Sequence, residues 1–231
     1  MPTCLFQFLT RLNNVQIPYT NMNAKKRLLF FVTVLFALSS CTSQGETKTQ
    51  KKDVCLNDKG FEFLQAYYDE CNDNYLDSAR FFLEKALECN DGNSVAFYNL
   101  ILVLGAQEEY GEMIDLYQNR LNQIRGNAYL AKAETYSELA MLYGKTGDTI
   151  SCIKMTQYAS NEFEKCFSQN QITVDLMVSF LLFSAYKDGK ESAMLELKKY
   201  KDVFPNEDYY SAFENQLMEF NPNDCFSSKC N

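Results

Sequence analysis

From about residue 60 onwards, apolar residues recur at the three- and four-residue steps of an α-helix. One run begins with Phe97-Tyr-Asn-Leu-Ile-Leu-Val-Leu104 and continues with Tyr110, Met113, Tyr117 and Leu121. These steps place the apolar side chains on one face of each helix. The pattern therefore predicts two amphipathic helices that are joined by a short turn.

Similar pairs of helical runs begin at four places in the chain: Phe63, Phe97, Tyr136 and Met177. The pair at Tyr136 has Gly147-Asp148 between its helices, and the pair at Met177 has its turn at residues 187–190. The starting residues are 34, 39 and 41 positions apart (97 − 63, 136 − 97 and 177 − 136). The two longer spacings predict longer second helices in those pairs, or a looser arrangement.

This spacing, over roughly residues 60–206, resembles the tetratricopeptide repeat family, whose period is about 34 residues. The resemblance implies an all-α fold, an α-solenoid of about four antiparallel helix pairs, because one pair cannot bury its apolar stripe alone. Residues 208–220 predict a C-terminal capping helix that Asn221-Pro222 ends, with one apolar face formed by Tyr210, Phe213, Leu217 and Phe220. An irregular helical bundle is the alternative.

Residues 22–41 show the three parts of a lipoprotein signal. Met22-Asn-Ala-Lys-Lys-Arg27 is basic, residues 28–38 are apolar apart from Thr33, and Leu38-Ser-Ser-Cys41 follows. The apolar run is too short to span a bilayer as a helix. The last four residues resemble the lipobox of bacterial lipoproteins, whose cysteine is acylated after the chain is cut before it. A secretory signal with an accidental cysteine and a signal anchor are the alternatives.

The lipobox sets the predicted organisation of the chain. We interpret residues 1–21 as an upstream start artefact, 22–40 as a signal peptide, 41–55 as the lipidated Cys41 with a flexible tether, 56–220 as the helical repeat domain and 221–231 as a C-terminal tail. The resemblance implies a protein held at the cell envelope by its lipid. We expect the outer membrane, with the domain facing the periplasm.

The part of the chain after the leader is acidic. Four of the 22 basic residues precede Cys41, so the remainder carries 18 − 30 = −12 charges. Phosphate backbones would repel such a surface, and we expect no nucleic-acid partner. The chain has no histidine, which removes the usual general base and the commonest metal ligand. We therefore expect no catalytic residue, no metal and no cofactor.

In the repeat family, the first helix of each pair lines a concave face that binds peptides. The resemblance carries this role to Phe61, Leu64, Tyr68, Val95, Tyr98, Leu102, Glu134, Ser137, Met141, Asp175, Val178 and Leu182. We take as the candidate partner-binding groove Leu64, Tyr68, Tyr98, Leu102, Met141, Val178 and Leu182. An apolar groove suits an amphipathic helix or an extended apolar peptide. The alternative is that these residues belong to the core or are covered by the chain's own tail.

Seven cysteines follow Cys41, and outside the cytoplasm such thiols can oxidise. Cys225 and Cys230 flank a short polar loop that could close on itself. An antiparallel hairpin would bring the regions of Cys55 and Cys89 together, which allows a second bridge. The chain contains no Cys-x-x-Cys pair, so a zinc site is not expected.

Three functions are compatible with these features. The first is a lipid-anchored, non-enzymatic scaffold that binds an unidentified protein or peptide. The second is an enzyme or enzyme subunit of cell-wall or surface-glycan metabolism, which would bring together carboxylates from different helices in a deep pocket. The third is a structural lipoprotein whose groove is filled internally.

Overall fold

The computed structural model describes residues 48–169, 172–222 and 226, with side chains from residue 54 onwards. These residues form nine α-helices and one 3₁₀ helix, and no strand occurs among them. The prediction of an all-α fold is therefore confirmed for this part of the chain. No helix in it is long and apolar enough to cross a bilayer. Cys41 and the leader lie outside the described residues.

The helices are short, and most are separated by only a few residues. Their bounds are α1 Lys48–Glu70, α2 Asn74–Cys89, α3 Ser94–Gln107, α4 Tyr110–Gln123, α5 Tyr129–Thr146, α6 Thr149–Ser168, α7 Val174–Asp188, α8 Lys190–Lys199 and α9 Glu207–Glu219. The 3₁₀ helix, Lys201–Val203, lies between α8 and α9. Short connections of this kind make successive helices antiparallel.

The helices form two compact units, with the boundary between Glu109 and Tyr110. In unit 1, which contains α1 to α3, each helix packs on both of the others. Unit 2 contains α4 to α9. In this unit, α5 packs on α4, α6 and α7. Helix α8 packs on α7 and on α9, and α6 also packs on α7. The contacts α1–α3 and α5–α7 join helices that are two apart in sequence, as in stacked helix pairs.

The turn predicted at Gly147-Asp148 separates α5 from α6. Gly147 has a φ of 81°, a left-handed conformation that glycine adopts without steric cost. Asp148 then caps α6, and its carboxylate accepts a hydrogen bond of 3.0 Å from the Ser151 backbone N–H. This hydrogen bond lowers the pKa of the Asp148 carboxyl. The turn predicted at residues 187–190 is also present, with Gly189 between α7 and α8.

Two glycines allow neighbouring helices to approach closely. A Cβ atom on Gly60 of α1 would lie 2.5 Å from the Cγ atom of Leu83 in α2. A Cβ atom on Gly144 of α5 would lie 2.8 Å from the hydroxyl of Tyr186 in α7. That hydroxyl is 3.1 Å from the Sγ atom of Cys152 in α6. Both approaches depend on the absence of a side chain at the glycine.

The predicted apolar faces form the core of each unit. Between Ala96 and Ala106 of α3, every residue except Tyr98 is buried, so this helix is apolar on all sides. In unit 2, the ring of Phe163 packs on Phe183, with 5.3 Å between the ring centroids. The face predicted to close the domain is also buried, and consists of Tyr210, Phe213, Leu217 and Phe220.

Helix lengths differ from the prediction in two places. Helix α1 begins at Lys48, so residues 48–55 are helical, although the sequence analysis placed them in the flexible tether. This segment has no proline or glycine, and its lysines and glutamine favour a helix. Helix α6 has 20 residues and is long, as predicted. Helix α4 has only 14. The additional residues of that pair lie in the turn at 124–128 and in the start of α5, which precedes Tyr136.

Candidate functional site

The seven predicted groove residues lie on α1, α3, α5 and α7, the first helices of the predicted pairs. Five of them are buried, with exposed fractions of 1, 3, 6, 0 and 3%: Leu64, Leu102, Met141, Val178 and Leu182. The other two, Tyr68 and Tyr98, are partly exposed. Among the seven, the tyrosines are therefore the most accessible side chains, although the hydroxyl oxygen of Tyr68 is itself buried.

A pair of buried amides joins α1 to α3 in unit 1, and we call this contact the α1–α3 joint. The Nδ2 atom of Asn99 donates to the Oδ1 atom of Asn57 over 3.2 Å. Their exposed fractions are 2% and 4%. Leu64 follows Asn57 by seven residues, two helical turns, and so lies on the same face of α1. Leu64 is buried on this face of α1.

The corresponding contact in unit 2 pairs a carboxyl group with a hydroxyl group, and we call it the α5–α7 joint. The Oγ atom of Ser179 in α7 donates to the Oε1 atom of Glu134 in α5 over 2.7 Å. Ser179 is only 1% exposed, and Glu134 is partly buried. Met141 follows Glu134 by seven residues, so it lies on the same face of α5, where it is buried.

The two joints share one arrangement along the sequence. In each, a polar residue of one helix is followed seven positions later by a buried apolar residue. The polar partner lies on the helix two further along the chain. One groove residue directly precedes this partner, and another follows it three positions later. These flanking residues are Tyr98 and Leu102 around Asn99, and Val178 and Leu182 around Ser179. Four of the seven predicted groove residues therefore flank a polar contact between two helices, and Leu64 and Met141 lie two turns from one on the same helix face.

Burial raises the pKa of the Glu134 carboxyl above its ordinary value. The nearby Asp175 carboxylate raises this pKa further, because two negative charges repel each other. The hydrogen bond from Ser179 and the guanidinium of Arg120 in α4 act in the opposite direction. The α1–α3 joint contains only neutral amides, so no such balance of charge arises there.

Two further ionisable side chains lie around the α5–α7 joint. Cys166 of α6 is buried, and burial raises the pKa of its thiol; the charges of Glu162 and Glu134 add to this effect. Tyr209 of α9 lies near Asp175, and burial together with that carboxylate raises the pKa of Tyr209 to about 12. Neither group therefore supplies a positive charge to the surroundings of Glu134.

The two partly exposed tyrosines do not lie at the same level of unit 1. Helices α1 and α3 run in the same direction, because short turns make each antiparallel to α2. The Asn57–Asn99 hydrogen bond fixes their register. Tyr98 is adjacent to Asn99, whereas Tyr68 lies 68 − 57 = 11 residues beyond Asn57, about 16 Å along the helix axis. Tyr98 precedes Asn99 by one residue, so the two tyrosines are offset by about 12 residues, or about 18 Å, and a partner that contacts both rings must span at least that distance.

The bridge that the sequence allows between Cys55 and Cys89 is not formed, since both are free cysteines. Gly60 of α1 faces Leu83 of α2. Cys55 is five residues earlier, and at about 100° per residue it is turned about 140° away from α2. Its exposure agrees with this direction. Cys225 and Cys230 lie outside the described residues.

Asn57, Asn99 and Ser179 were not among the predicted site residues. The only signal in the sequence is a polar residue inside an apolar helical run, as at Asn99 in Tyr-Asn-Leu-Ile and at Ser179 in Met-Val-Ser-Phe. Buried polar groups need hydrogen-bond partners, so such interruptions indicate a contact with another element. They do not indicate which element supplies the partner.

Comparison of the chain with protein-family models, curated proteins and solved structures gave no match. The described side chains also contain no group of three or more cysteine, aspartate or glutamate residues that could hold a metal ion. The candidate site consists of two polar joints with apolar flanks and of two partly exposed tyrosines in unit 1.

Proposed function

We propose that this chain is a membrane-anchored lipoprotein that acts as a non-enzymatic protein–protein interaction scaffold at the bacterial cell envelope. The anchor is supported by the basic and apolar segments and by Leu38-Ser-Ser-Cys41 in residues 22–41. One acyl chain binds a membrane only weakly, and the diacylglycerol that the lipobox resemblance places on the Cys41 thiol would supply two, with a further chain on the new amine. We place the protein at the outer membrane, facing the periplasm.

The contacts between alternate helices support a solenoid architecture within this proposal. Each unit contains one such polar contact, Asn57–Asn99 over 42 residues and Glu134–Ser179 over 45. Contacts between helices that are two apart in sequence are expected of a chain built from stacked helix pairs. We therefore propose a tetratricopeptide-like arrangement of about four pairs with a capping helix. Solenoids of this kind present extended surfaces to their partners.

The partial exposure of Tyr68 and Tyr98 is the observation that carries the scaffold function. Tyrosine combines a large apolar ring with a polar hydroxyl, and it is enriched at the energetically important positions of protein interfaces. We propose that a protein or peptide binds at these two rings, which we call the tyrosine face. Since the two rings are offset by about 18 Å along the helix axes, the partner segment needs at least about three helical turns or about six extended residues.

A pull-down from gently crosslinked, detergent-solubilised native membranes tests this proposal. We expect the wild-type chain to enrich one envelope protein, and the double variant Tyr68→Ala/Tyr98→Ala to lose it. Phe81→Ala is the matched control, because Phe81 is an aromatic residue of α2 that is 55% exposed. Circular dichroism would verify that all three proteins fold. Equal capture by the double variant would exclude the tyrosine face, and no specific capture would remove the scaffold function.

The anchor has a separate test. Labelled palmitate should be incorporated by the wild-type chain and not by Cys41→Ala, which should also leave the membrane fraction. Cys55→Ala is the matched control, because it removes an exposed thiol without touching the lipobox. Incorporation that survives Cys41→Ala would show that the lipid is attached elsewhere or that the signal is of another type.

One observation favours the enzyme as a second candidate. Glu134 and Asp175 come from different helices, and their environments differ, since Glu134 is partly buried and Asp175 is exposed. Two carboxyl groups in unlike environments can divide the acid and base roles of glycoside hydrolysis. Incubation with purified cell-wall glycan, followed by measurement of new reducing ends, tests this. Release that is lost in Asp175→Asn would support the enzyme, and no release by the wild-type chain would exclude this hydrolysis.

A further inference from the structure

The α1–α3 and α5–α7 joints both connect helices that are two apart in sequence, but they differ in chemistry. The first pairs two neutral amides, Asn57 and Asn99, and the second pairs the Glu134 carboxyl with the Ser179 hydroxyl. We propose that the α5–α7 joint responds to pH, tightening when Glu134 is protonated and loosening when it ionises, while the α1–α3 joint keeps the same strength. The inference concerns unit 2 and does not depend on whether the tyrosine face binds a partner.

The position of Glu134 between two helices makes its charge unfavourable. The hydroxyl that contacts it belongs to Ser179, which is 1% exposed, so little water reaches this side of the carboxyl group. An ionised carboxylate with reduced hydration needs several hydrogen-bond donors to compensate, and the described contact supplies one, over 2.7 Å. A protonated carboxyl group can still accept that hydrogen bond through its carbonyl oxygen and carries no charge.

Charged groups on the neighbouring helices add to this preference. Asp175, one turn before Ser179 on α7, repels a charge on Glu134. On α6, the buried Cys166 thiol faces Glu134 and is neutral in its ordinary state. On α5 itself, Glu138 lies one turn beyond Glu134 and is 4% exposed. None of these groups offers a positive charge to an ionised Glu134.

Arg120 of α4 is the cation that opposes these groups. Its guanidinium favours the ionised form of Glu134, as the Ser179 hydrogen bond does. Burial and the Asp175 charge outweigh both, and the pKa of Glu134 is raised as a result. Tyr209 of α9 lies beyond Asp175 and stays neutral at ordinary pH, with a pKa of about 12. The Glu134 carboxyl therefore keeps its proton to a higher pH when α5 and α7 are packed together than when they are separated.

The sign of the pH dependence follows from this difference. The stabilisation of the protonated joint is complete below the ordinary pKa of 4.5 and is lost as the pH rises through the raised pKa. Between these limits the packed joint keeps a proton that the open state has released. In that window, each pH unit raises the opening constant of the joint by up to about tenfold.

Hydrogen exchange on the full chain at about pH 5 and about pH 8 tests the proposal, with rates corrected for the intrinsic pH dependence of exchange. Peptides from α5 and α7 report the unit 2 joint, and peptides from α1 and α3 serve as the internal reference. We expect protection to fall with pH in α5 and α7 and to stay constant in α1 and α3. An equal fall in both units would overturn the proposal, since it would reflect a general loss of stability.

Glu134→Gln identifies the group responsible, because glutamine keeps the size and the acceptor oxygen but cannot ionise. We expect this variant to keep full protection of α5 and α7 at about pH 8. Glu164→Gln, at an exposed position on α6, is the matched control and should behave like the wild-type chain. A wild-type pH response in Glu134→Gln would overturn the assignment.

Ser179→Ala provides a second variant in case Glu134→Gln disturbs the packing of α5 on α7. It removes the donor that favours the ionised carboxylate, so the loss of protection should begin at higher pH than in the wild-type chain. A pH response that is unchanged in Ser179→Ala would show that Glu134 does not control the joint.

Discussion

Replacing Gly60 by alanine tests the packing of α1 on α2. The added Cβ atom would lie 2.5 Å from Cγ and 2.8 Å from Cδ2 of Leu83, and 3.2 Å from the carbonyl oxygen of Ala79. Both neighbours are 0% exposed. Neither can turn into solvent, so the two helices must move apart or the Leu83 side chain must leave its preferred rotamer.

Two effects of opposite sign decide the size of the change. Alanine in place of glycine inside a helix stabilises it by up to about 1 kcal/mol. Forcing an extra methyl group into a filled core costs about 1–3 kcal/mol, and a contact of 2.5 Å lies well inside the van der Waals distance. We expect Gly60→Ala to lower the free energy of unfolding by about 1–2 kcal/mol.

Urea unfolding of the full chain, followed by circular dichroism, measures this change. Gly111→Ala in α4 is the matched control, because a Cβ atom there meets nothing within 4 Å; it should stabilise the chain slightly. If Gly60→Ala stabilised the chain as Gly111→Ala does, the close approach of α1 to α2 at Gly60 would be contradicted. Leu83→Ala should cost less in the Gly60→Ala background than alone, because it removes the atoms that clash.

Three further substitutions have outcomes that the same unfolding measurement can check. Asn93→Ala removes the cap of α3, whose side chain accepts from the Ala96 N–H at 3.0 Å, and should cost about 1 kcal/mol, most of which Asn93→Ser should restore. Gly147→Ala places a Cβ atom on a residue with φ of 81° and should cost about 1–2 kcal/mol; an unchanged midpoint would contradict the left-handed turn. Phe163→Ala empties a site that is 1% exposed and should cost about 3–5 kcal/mol, whereas Tyr158→Ala, at 39% exposure, should cost much less.

The turns and the closing helix could be predicted from the sequence because their signals are local. A glycine that can adopt positive φ and a capping aspartate mark the turn at Gly147-Asp148 wherever it occurs in a fold. The face formed by Tyr210, Phe213 and Leu217 follows from helical periodicity alone. Such features need no information about distant parts of the chain, and the structure confirms them.

The role of the groove residues could not be predicted in the same way. Periodicity shows that Leu64 and Tyr68 share a face of α1, but it does not show which helix packs on that face. The repeat pattern in the sequence predicted that equivalent residues are 34 positions apart in α1 and α3, and 41 positions apart in α5 and α7. The hydrogen-bonded residues are 42 and 45 positions apart. The pairing of these helices therefore differs from the one that the repeat copies suggested.

The cysteines differ in exposure, so their reaction with a thiol reagent can measure local opening of the structure. Cys55 of unit 1 is exposed and Cys166 of unit 2 is buried. The thiolate is the form of cysteine that attacks an alkylating reagent, so burial and the raised pKa of Cys166 both slow its reaction. The rate at which a maleimide modifies Cys166 therefore measures how often the helices around it separate, and Cys55 calibrates the reagent in the same tube. Labelling of the unmodified chain can thus follow the motion of unit 2 without any engineered probe.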